Sequence, residues 1–102
     1  MIPQAVLQML GLAARARKVV SGEELILKEV RTNKAKLVIV AQDASANTMK
    51  KITDKCKYYN VEFHVLGNRY DLGHATGKAA RVALAITDSG FAKKVSSLLN
   101  EI

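Results

Sequence analysis

The chain is poor in cysteine, proline and aromatic residues: it has one cysteine, one proline and no tryptophan among 102 residues. A single cysteine excludes an intramolecular disulfide and a cysteine-rich zinc site, and Cys56 among helix-spaced apolar residues is typical of a small core side chain. Apolar runs such as Leu37–Ala41 are far too short to span a bilayer. Met1–Ala14 lacks the early basic residues of a signal peptide. These features predict a cytoplasmic protein with no membrane partner.

Acidic residues are the scarcer charged type, with nine Asp and Glu against sixteen Lys and Arg, a formal net charge of +7. This excess favours a polyanionic partner, nucleic acid first and an anionic membrane surface second, although charge can also serve solubility alone. Hydrophobic residues make up 49% and charged residues 25%, the balance of a folded protein. We predict a single basic domain over residues 1–102.

Helical and extended patterns alternate along the chain, which predicts an α/β fold: a three-layer α/β/α domain around a small, largely parallel or mixed sheet. Asn60 is expected to close the third helix and Asp88 to cap the last. Val61, Phe63 and Val65 alternate with polar residues, as in a half-exposed strand. The predicted strands are Lys18–Val20, Leu37–Ala41, Val61–Val65 and Val82–Ile86; the helices are Pro3 to about Lys18, Ser21 to about Asn33, one around Met49–Tyr59, Asn68–Ala75, and one around Phe91–Leu99.

Residues that could carry catalysis form no recognisable constellation. His64 and His74 have no spacing that links them to Cys56 as nucleophile and base. The segment "GHATGKAA", Gly73–Ala80, has three rather than four residues between its glycines, and alanine follows its lysine, so it does not match a Walker phosphate loop. We therefore predict a non-enzymatic protein without metal or cofactor, in which Gly73 and Gly77 permit bends around a short helix.

Two adjacent glutamates stand in a basic neighbourhood in "VVSGEELILK", Val19–Lys28. Ser21 and Glu24 have the spacing of a capping box, and Glu23 in the first turn suits the helix dipole. Alternatively, Gly22 lets a partner's backbone approach free helix amides. A carboxylate inside a basic rim can also accept hydrogen bonds from base amino groups. Capping is the simpler interpretation from this stretch alone.

Basic side chains flank this turn on both sides: Arg15, Arg17 and Lys18 precede it, and Lys28 follows on the helix. A basic rim for backbone and a polar centre for bases is typical of a nucleic-acid site. The few aromatic residues fall mostly on predicted core faces, so a stacking platform for single strands is not visible, and structured RNA fits better. The four lysines of the third helix are expected to form a solvated face: Lys50, Lys51, Lys55 and Lys57.

Two segments carry a family resemblance: "GEELILKEVRTNKAKLVIVAQDAS", Gly22–Ser45, and "NRYDLGHATGKAARVALAITDSGF", Asn68–Phe91. Together they resemble the kink-turn RNA-binding ribosomal proteins of the L7Ae and L30e type, and the chain is most similar to the small bacterial YlxQ-like branch. The resemblance implies an α/β/α sandwich with a mixed four-stranded sheet. It also implies that the turn into the second helix meets a sharply bent RNA helix, with the loop before the last strand against bulged nucleotides.

The family motif at the first turn reads glycine, any residue, asparagine, glutamate, two residues, lysine. Gly22 and Lys28 match it, whereas Glu24 and Leu25 replace the asparagine and glutamate. We therefore expect a non-catalytic protein that binds kinked or bulged RNA, including ribosomal RNA, as a monomer and with altered preference; a protein-interaction module on the same scaffold is the alternative. The expected RNA-binding residues are Arg15, Arg17, Lys18, Ser21, Gly22, Glu23, Glu24, Lys28, Arg31, Gly77, Lys78, Ala79, Ala80 and Arg81.

Overall fold

Five helices and four strands alternate along residues 2–101, the part of the chain that the computed structural model describes. Apolar residues at helical spacing form the helices, and short apolar or alternating runs form the strands. No helix within the described residues is long and apolar enough to cross a membrane. The elements are α1 (Gln4–Arg15), β1 (Val19–Ser21), α2 (Glu23–Arg31), β2 (Leu37–Val40), α3 (Ala46–Tyr58), β3 (Glu62–Val65), α4 (Arg69–Ala75), β4 (Ala83–Ile86) and α5 (Ser89–Asn100).

The four strands form one mixed sheet in the order β1-β4-β2-β3. β4 runs antiparallel to both of its neighbours, with Ser21 opposite Leu84 on one side and Val38 opposite Ala85 on the other. β2 and β3 are parallel. This order places the end of β1 beside the start of β4, and so brings the turn into α2 close to the loop that precedes β4.

Two apolar cores lie on opposite faces of the sheet because successive strand side chains point to opposite sides. Leu37 and Ile39 pack with α1, α4 and α5. Val38 and Val40 pack with α2 and α3 on the other face. The predicted three-layer arrangement and mixed sheet are thus confirmed.

Three helices end on a non-glycine residue with φ 61°, namely Arg17, Asn33 and Asn60. In each case the next amide donates back five residues into the helix, as from Lys18 to the Ala13 carbonyl at 2.9 Å, the pattern of a Schellman motif. Asn60 therefore closes α3 as predicted. The predicted cap of α5 is also confirmed, since the Phe91 amide donates to Asp88 Oδ2 at 2.9 Å.

The predicted alternation in β3 is wrong at its end. Val61 and Phe63 pack against the core formed with α2 and α3, but Val65 is 42% exposed and His64 is half-buried. β3 is an edge strand, and one of its polar side chains makes contacts across to α5: Glu62 accepts hydrogen bonds from His64 Nε2 at 2.7 Å and from Ser96 Oγ. The contact with Glu62, which Ser96 also contacts, keeps His64 half-buried, whereas the predicted alternation would leave His64 exposed.

Candidate nucleic-acid interface

The turn between β1 and α2 consists of Gly22, whose φ of 96° and ψ of 130° suit glycine and strain other residues. A Cβ at this position would meet no atom within 4 Å, so the space above the turn is open. No side chain among residues 2–101 caps α2, and the predicted capping box of Ser21 and Glu24 is wrong. Ser21 is instead the last residue of β1, and its Oγ accepts a hydrogen bond from Arg81 Nε at 3.1 Å.

The first-turn amides of α2 are unused by the described part of the chain. The helix's first backbone hydrogen bond runs from the Ile26 amide to the Gly22 carbonyl at 2.9 Å. The amides of Glu23, Glu24 and Leu25 find no acceptor within residues 2–101. Since these amides carry the positive end of the helix dipole, they are suited to an anionic or carbonyl-rich partner.

The two glutamates of this turn have different surroundings. Glu23 is half-buried: its Oε1 accepts a hydrogen bond from Thr48 Oγ1 at 2.7 Å, and its Oε2 lies 3.6 Å from Lys51 Nζ. Glu23 therefore ties α2 to α3. Glu24 is exposed, makes no side-chain hydrogen bond within the described residues, and lines a shallow surface groove on α2. We call this the α2 groove; its lining is Glu24, Leu25, Leu27, Lys28 and Arg31.

The basic rim comes from the end of α1. Arg15, Arg17 and Lys18 are all exposed. Arg17 holds the left-handed φ of 61° that closes α1. It borders a groove that also includes Ser21 and Lys78, so the end of α1, the strand β1 and the loop after α4 meet at one surface. Arg15 lines a neighbouring groove with Gly77.

The loop from Gly77 to Arg81 packs closely on α4. A Cβ on Gly73 would lie 2.6 Å from Ala80 Cα and 2.7 Å from the Ala80 nitrogen. Gly73 lies inside α4, so its predicted role as a bend is wrong: it allows a close approach of backbone. Gly77, with a φ of 76°, does follow the helix as a turn residue. Lys78 and Ala79 are exposed at the outer side of the loop.

Arg81 joins this loop to the rest of the site. Its backbone amide donates to the Arg69 carbonyl at 2.8 Å, its Nη1 to the Ala80 carbonyl at 2.6 Å, and its Nε to Ser21 Oγ. Its half-buried guanidinium thus links the loop to β1. These contacts hold the loop beside β1, and Lys78 lines a groove with Ser21, the residue before Gly22.

Asp43 and Arg69 form a set of hydrogen bonds, here called the Asp43–Arg69 clamp, at the start of α4. The sequence patterns did not indicate this clamp. Asp43 accepts from the Arg69 amide at 3.0 Å and from its Nε at 3.1 Å, while Arg69 Nη2 donates to the Asp43 carbonyl at 2.7 Å. Desolvation acts to raise the pKa of the Asp43 carboxyl, but the hydrogen bonds from Arg69 outweigh it and hold that pKa below its ordinary value. The clamp therefore fixes the start of α4, where the Arg69 carbonyl accepts from the Arg81 amide.

Most aromatic side chains face the core, as predicted: Tyr59, Phe63 and Phe91 pack against it, whereas two tyrosines lie outside it. Tyr58 is 81% exposed and Tyr70 is 58% exposed. Cys56 is buried as predicted, and burial raises the pKa of its thiol to about 11, which leaves it unreactive as a nucleophile. Within residues 2–101, no three His, Cys, Asp or Glu side chains are grouped so that they could hold a metal ion.

Comparison with known proteins places this geometry in a family. Residues 4–96 match the model of the "Ribosomal protein L7Ae/L30e/S12e/Gadd45 family". RNA-binding protein YlxQ of Bacillus subtilis (strain 168) is 58% identical over 92 residues, which are 90% of this chain and 92% of that protein. RNA-binding protein YlxQ of Enterococcus faecium is 44% identical over 96 residues, covering 94% and 92%.

A solved structure of a protein with unknown function from Bacillus halodurans C is 43% identical and superimposes with a TM-score of 0.93, covering 96% of this chain and 99% of that one. The family match spans the turn at Gly22, the α2 groove and the loop from Gly77 to Arg81. This chain therefore belongs to the ribosomal protein L7Ae/L30e/S12e/Gadd45 family.

Proposed function

We propose that this protein is a non-catalytic, cytoplasmic RNA-binding protein that recognises a kinked or bulged RNA helix and associates with the ribosome. It acts as a single-domain monomer. The observation that carries the proposal is the uncapped start of α2, which is open at Gly22 and lies inside a rim of exposed Arg and Lys side chains. The curated relatives that bear the name RNA-binding protein support the same class of partner.

In this proposal, the exposed Arg and Lys side chains of the basic rim bind the RNA phosphates. Arg15, Arg17 and Lys18 at the end of α1 and Lys78 on the loop after α4 are exposed, and Arg17 and Lys78 line one groove with Ser21, next to the turn. Lys28 and Arg31 extend the positive charge along α2. Such contacts fix the position of an RNA backbone and give binding a steep dependence on salt, because bound phosphates release counterions.

In this proposal, the open turn at Gly22 and the start of α2 recognise the RNA bases. Glu24 is exposed and has no protein partner among the described residues, so its carboxylate is available to base amino groups, as glutamate is to cytosine. The free amides of α2 add donors at the same place. Leu25, 42% exposed, offers an apolar surface where the family motif has glutamate. This combination favours an RNA whose base edges at the kink differ from the standard family target.

The loop from Gly77 to Arg81 completes the surface. Its outer residues, Lys78 and Ala79, are exposed, and Lys78 lines a groove with Arg17 and Ser21, where a bulged nucleotide would lie. Ala80 and Arg81 contribute by position: Ala80 rests on Gly73, and Arg81 links the loop to Ser21. Glu23 acts in the same way, since its carboxylate is engaged by α3.

The test compares two hairpin RNAs of equal length, one with a kinked internal loop and one fully paired, titrated between about 50 and 200 mM salt. Binding of the kinked RNA should be at least about tenfold tighter and should weaken by more than about tenfold across this range. Lys28→Ala should lower affinity about fivefold and reduce the salt slope by about one. Lys93→Ala, the same charge change on α5 across the sheet, is the matched control. Equal, weak binding of both RNAs would favour the protein-interaction alternative.

A further inference from the structure

A second groove lies between α2 and α3, away from the loop from Gly77 to Arg81. Its lining is Leu27, Lys51, Asp54, Lys55 and Tyr58, and we call it the α2–α3 groove. The four residues from α3 recur at helical spacing on one face of that helix. Leu27 also lines the α2 groove, so the two surfaces adjoin and form one track that begins near Gly22.

Tyr58 gives this groove an aromatic face. Its side chain is 81% exposed, while its neighbour Tyr59 is half-buried against the core. The two rings meet edge to face, with centroids 4.9 Å apart and planes inclined by 75°. Tyr59 therefore supports the Tyr58 ring, whose high exposure leaves room for a stacking partner.

The charges beside Tyr58 suit phosphate. Asp54, the acid of the groove, is paired with Lys50 at 2.8 Å from outside the groove, and Lys51 lies 3.6 Å from Glu23. Lys55 has no acidic partner within the described residues. Lysine is depleted in protein–protein interfaces, whereas lysines around an aromatic ring are typical of surfaces that bind single-stranded nucleic acid.

We infer that the α2–α3 groove binds a short single-stranded extension of the same RNA, with one base stacked on Tyr58 and the backbone held by Lys55 and Lys51. This inference rests on the proposed function, since the strand would leave the kinked element at the α2 groove and continue along α2. That helix is about 13 Å long, a distance that a few nucleotides cover. Stacking on an aromatic side chain tolerates any base, so the extension is recognised as a single strand and not by its sequence.

The experiment uses the kinked hairpin RNA with and without a single-stranded uridine tail, placed at its 5′ end in one RNA and at its 3′ end in another. One of the two tails should raise affinity about fivefold or more. Tyr58→Leu should remove that gain and leave binding of the tailless hairpin unchanged, and Lys55→Ala should remove part of it. Lys93→Ala, on α5 across the sheet, should retain the full gain.

Fluorescence gives a second readout, because the chain has no tryptophan. The tryptophan fluorescence of the Tyr58→Trp variant should be quenched strongly by binding of the tailed RNA and much less by binding of the tailless RNA. Tyr70→Trp, an exposed position on α4 in the opposite layer, should not distinguish the two RNAs.

The outcomes separate the two proposals. If the tailless hairpin binds but neither tail adds affinity, or if Tyr58→Leu keeps the gain, the groove does not bind RNA and this inference fails alone. If neither RNA binds, the proposed function fails with it. A Tyr58-dependent dimer in sedimentation would assign the groove to a second copy of the chain and would also overturn the inference.

Discussion

The starts of α2 and α4 are built in opposite ways, although each helix follows a strand of the same sheet. At α4, Asn68 Oδ1 accepts from the amides of Tyr70 and Asp71, both at 2.9 Å, and Asp71 Oδ2 accepts from the Asn68 amide at 3.2 Å. At α2, Gly22 offers no side chain, and the first amides remain free within the described structure. The capped helix α4 is followed by the loop from Gly77 to Arg81, whereas the uncapped helix α2 leaves its own first amides available to a partner.

The other helices show that the open start of α2 is particular to this place. Ser45 caps α3 through the Thr48 amide at 3.1 Å, and Asp88 caps α5. α1 also starts without a side-chain cap within the described residues, at Pro3, but residues 2–14 contain no arginine or lysine. The start of α2 therefore combines free helix amides with a basic rim, and a polyanion can bind to both.

The largest effect is expected from Gly22→Ala, which closes the open turn. Alanine at a φ of 96° is strained, so the free energy of unfolding should fall by about 1–3 kcal/mol. The methyl group would also stand in the open space above the turn, and affinity for the kinked RNA should fall at least about tenfold. Chemical denaturation and RNA titration measure the two effects. Parent-like RNA affinity in the folded variant would show that RNA does not approach this turn.

Asn68→Ala tests the capped side of the comparison. Removing the Asn68 side chain leaves two amides of α4 without their acceptor, so the free energy of unfolding should fall by about 1 kcal/mol. RNA affinity should change little as long as the Asp43–Arg69 clamp holds the start of α4. If Asn68→Ala lost more RNA affinity than Gly22→Ala, the start of α4 and not the start of α2 would be the RNA contact.

Arg17→Gly separates charge from backbone strain at the rim. Arg17 holds a φ of 61°, which glycine adopts without the penalty that a Cβ brings, so the variant should be more stable by about 0.5–1 kcal/mol. Its RNA affinity should nevertheless fall about fivefold, with a salt slope smaller by about one. Arg17→Asn is the control with a side chain, because Asn33 and Asn60 hold the same φ at the ends of their helices. Loss of stability in Arg17→Gly would contradict the strain argument.

Glu24→Gln should have the smallest effect on stability, within about 0.5 kcal/mol, because Glu24 is exposed and caps nothing. It should change the ranking among kinked RNAs that differ in the bases at the bend, since an amide offers both a donor and an acceptor where the carboxylate only accepts. Competition binding with a set of such RNAs measures the ranking. An unchanged ranking would remove Glu24 from base recognition.

Much of the fold could be predicted because local patterns and packing agree. Leu37–Val40 is apolar throughout and is buried on both faces, and Asn60 and Asp88 end and begin helices as their residue types suggest. The capping prediction at Ser21 is wrong because serine three residues before glutamate also fits a strand end. The pairing of Ser21 with Leu84 and the hydrogen bond from Arg81, 60 residues away, distinguish the two cases, and both need the assembled sheet.

The residues of the candidate site could be proposed from the sequence, but the contacts among them could not. The resemblance of Gly22 and Lys28 to a family motif located the turn, and the charges around it located the rim. The tie between Glu23 and Thr48 and the clamp between Asp43 and Arg69 each join residues about 25 positions apart, and no local pattern reports such pairs. Tyr58 lines a groove with Leu27 of α2 and is exposed, and both facts also require the assembled fold.

The most direct test of the open helix start follows backbone amides by NMR during titration with the kinked hairpin RNA. The amides of Glu23, Glu24 and Leu25, free of protein acceptors among the described residues, should show the largest shifts and slowed exchange with solvent. The amides of Tyr70 and Asp71, already bonded to Asn68, should change little. Large changes at α4 with none at the start of α2 would contradict the account.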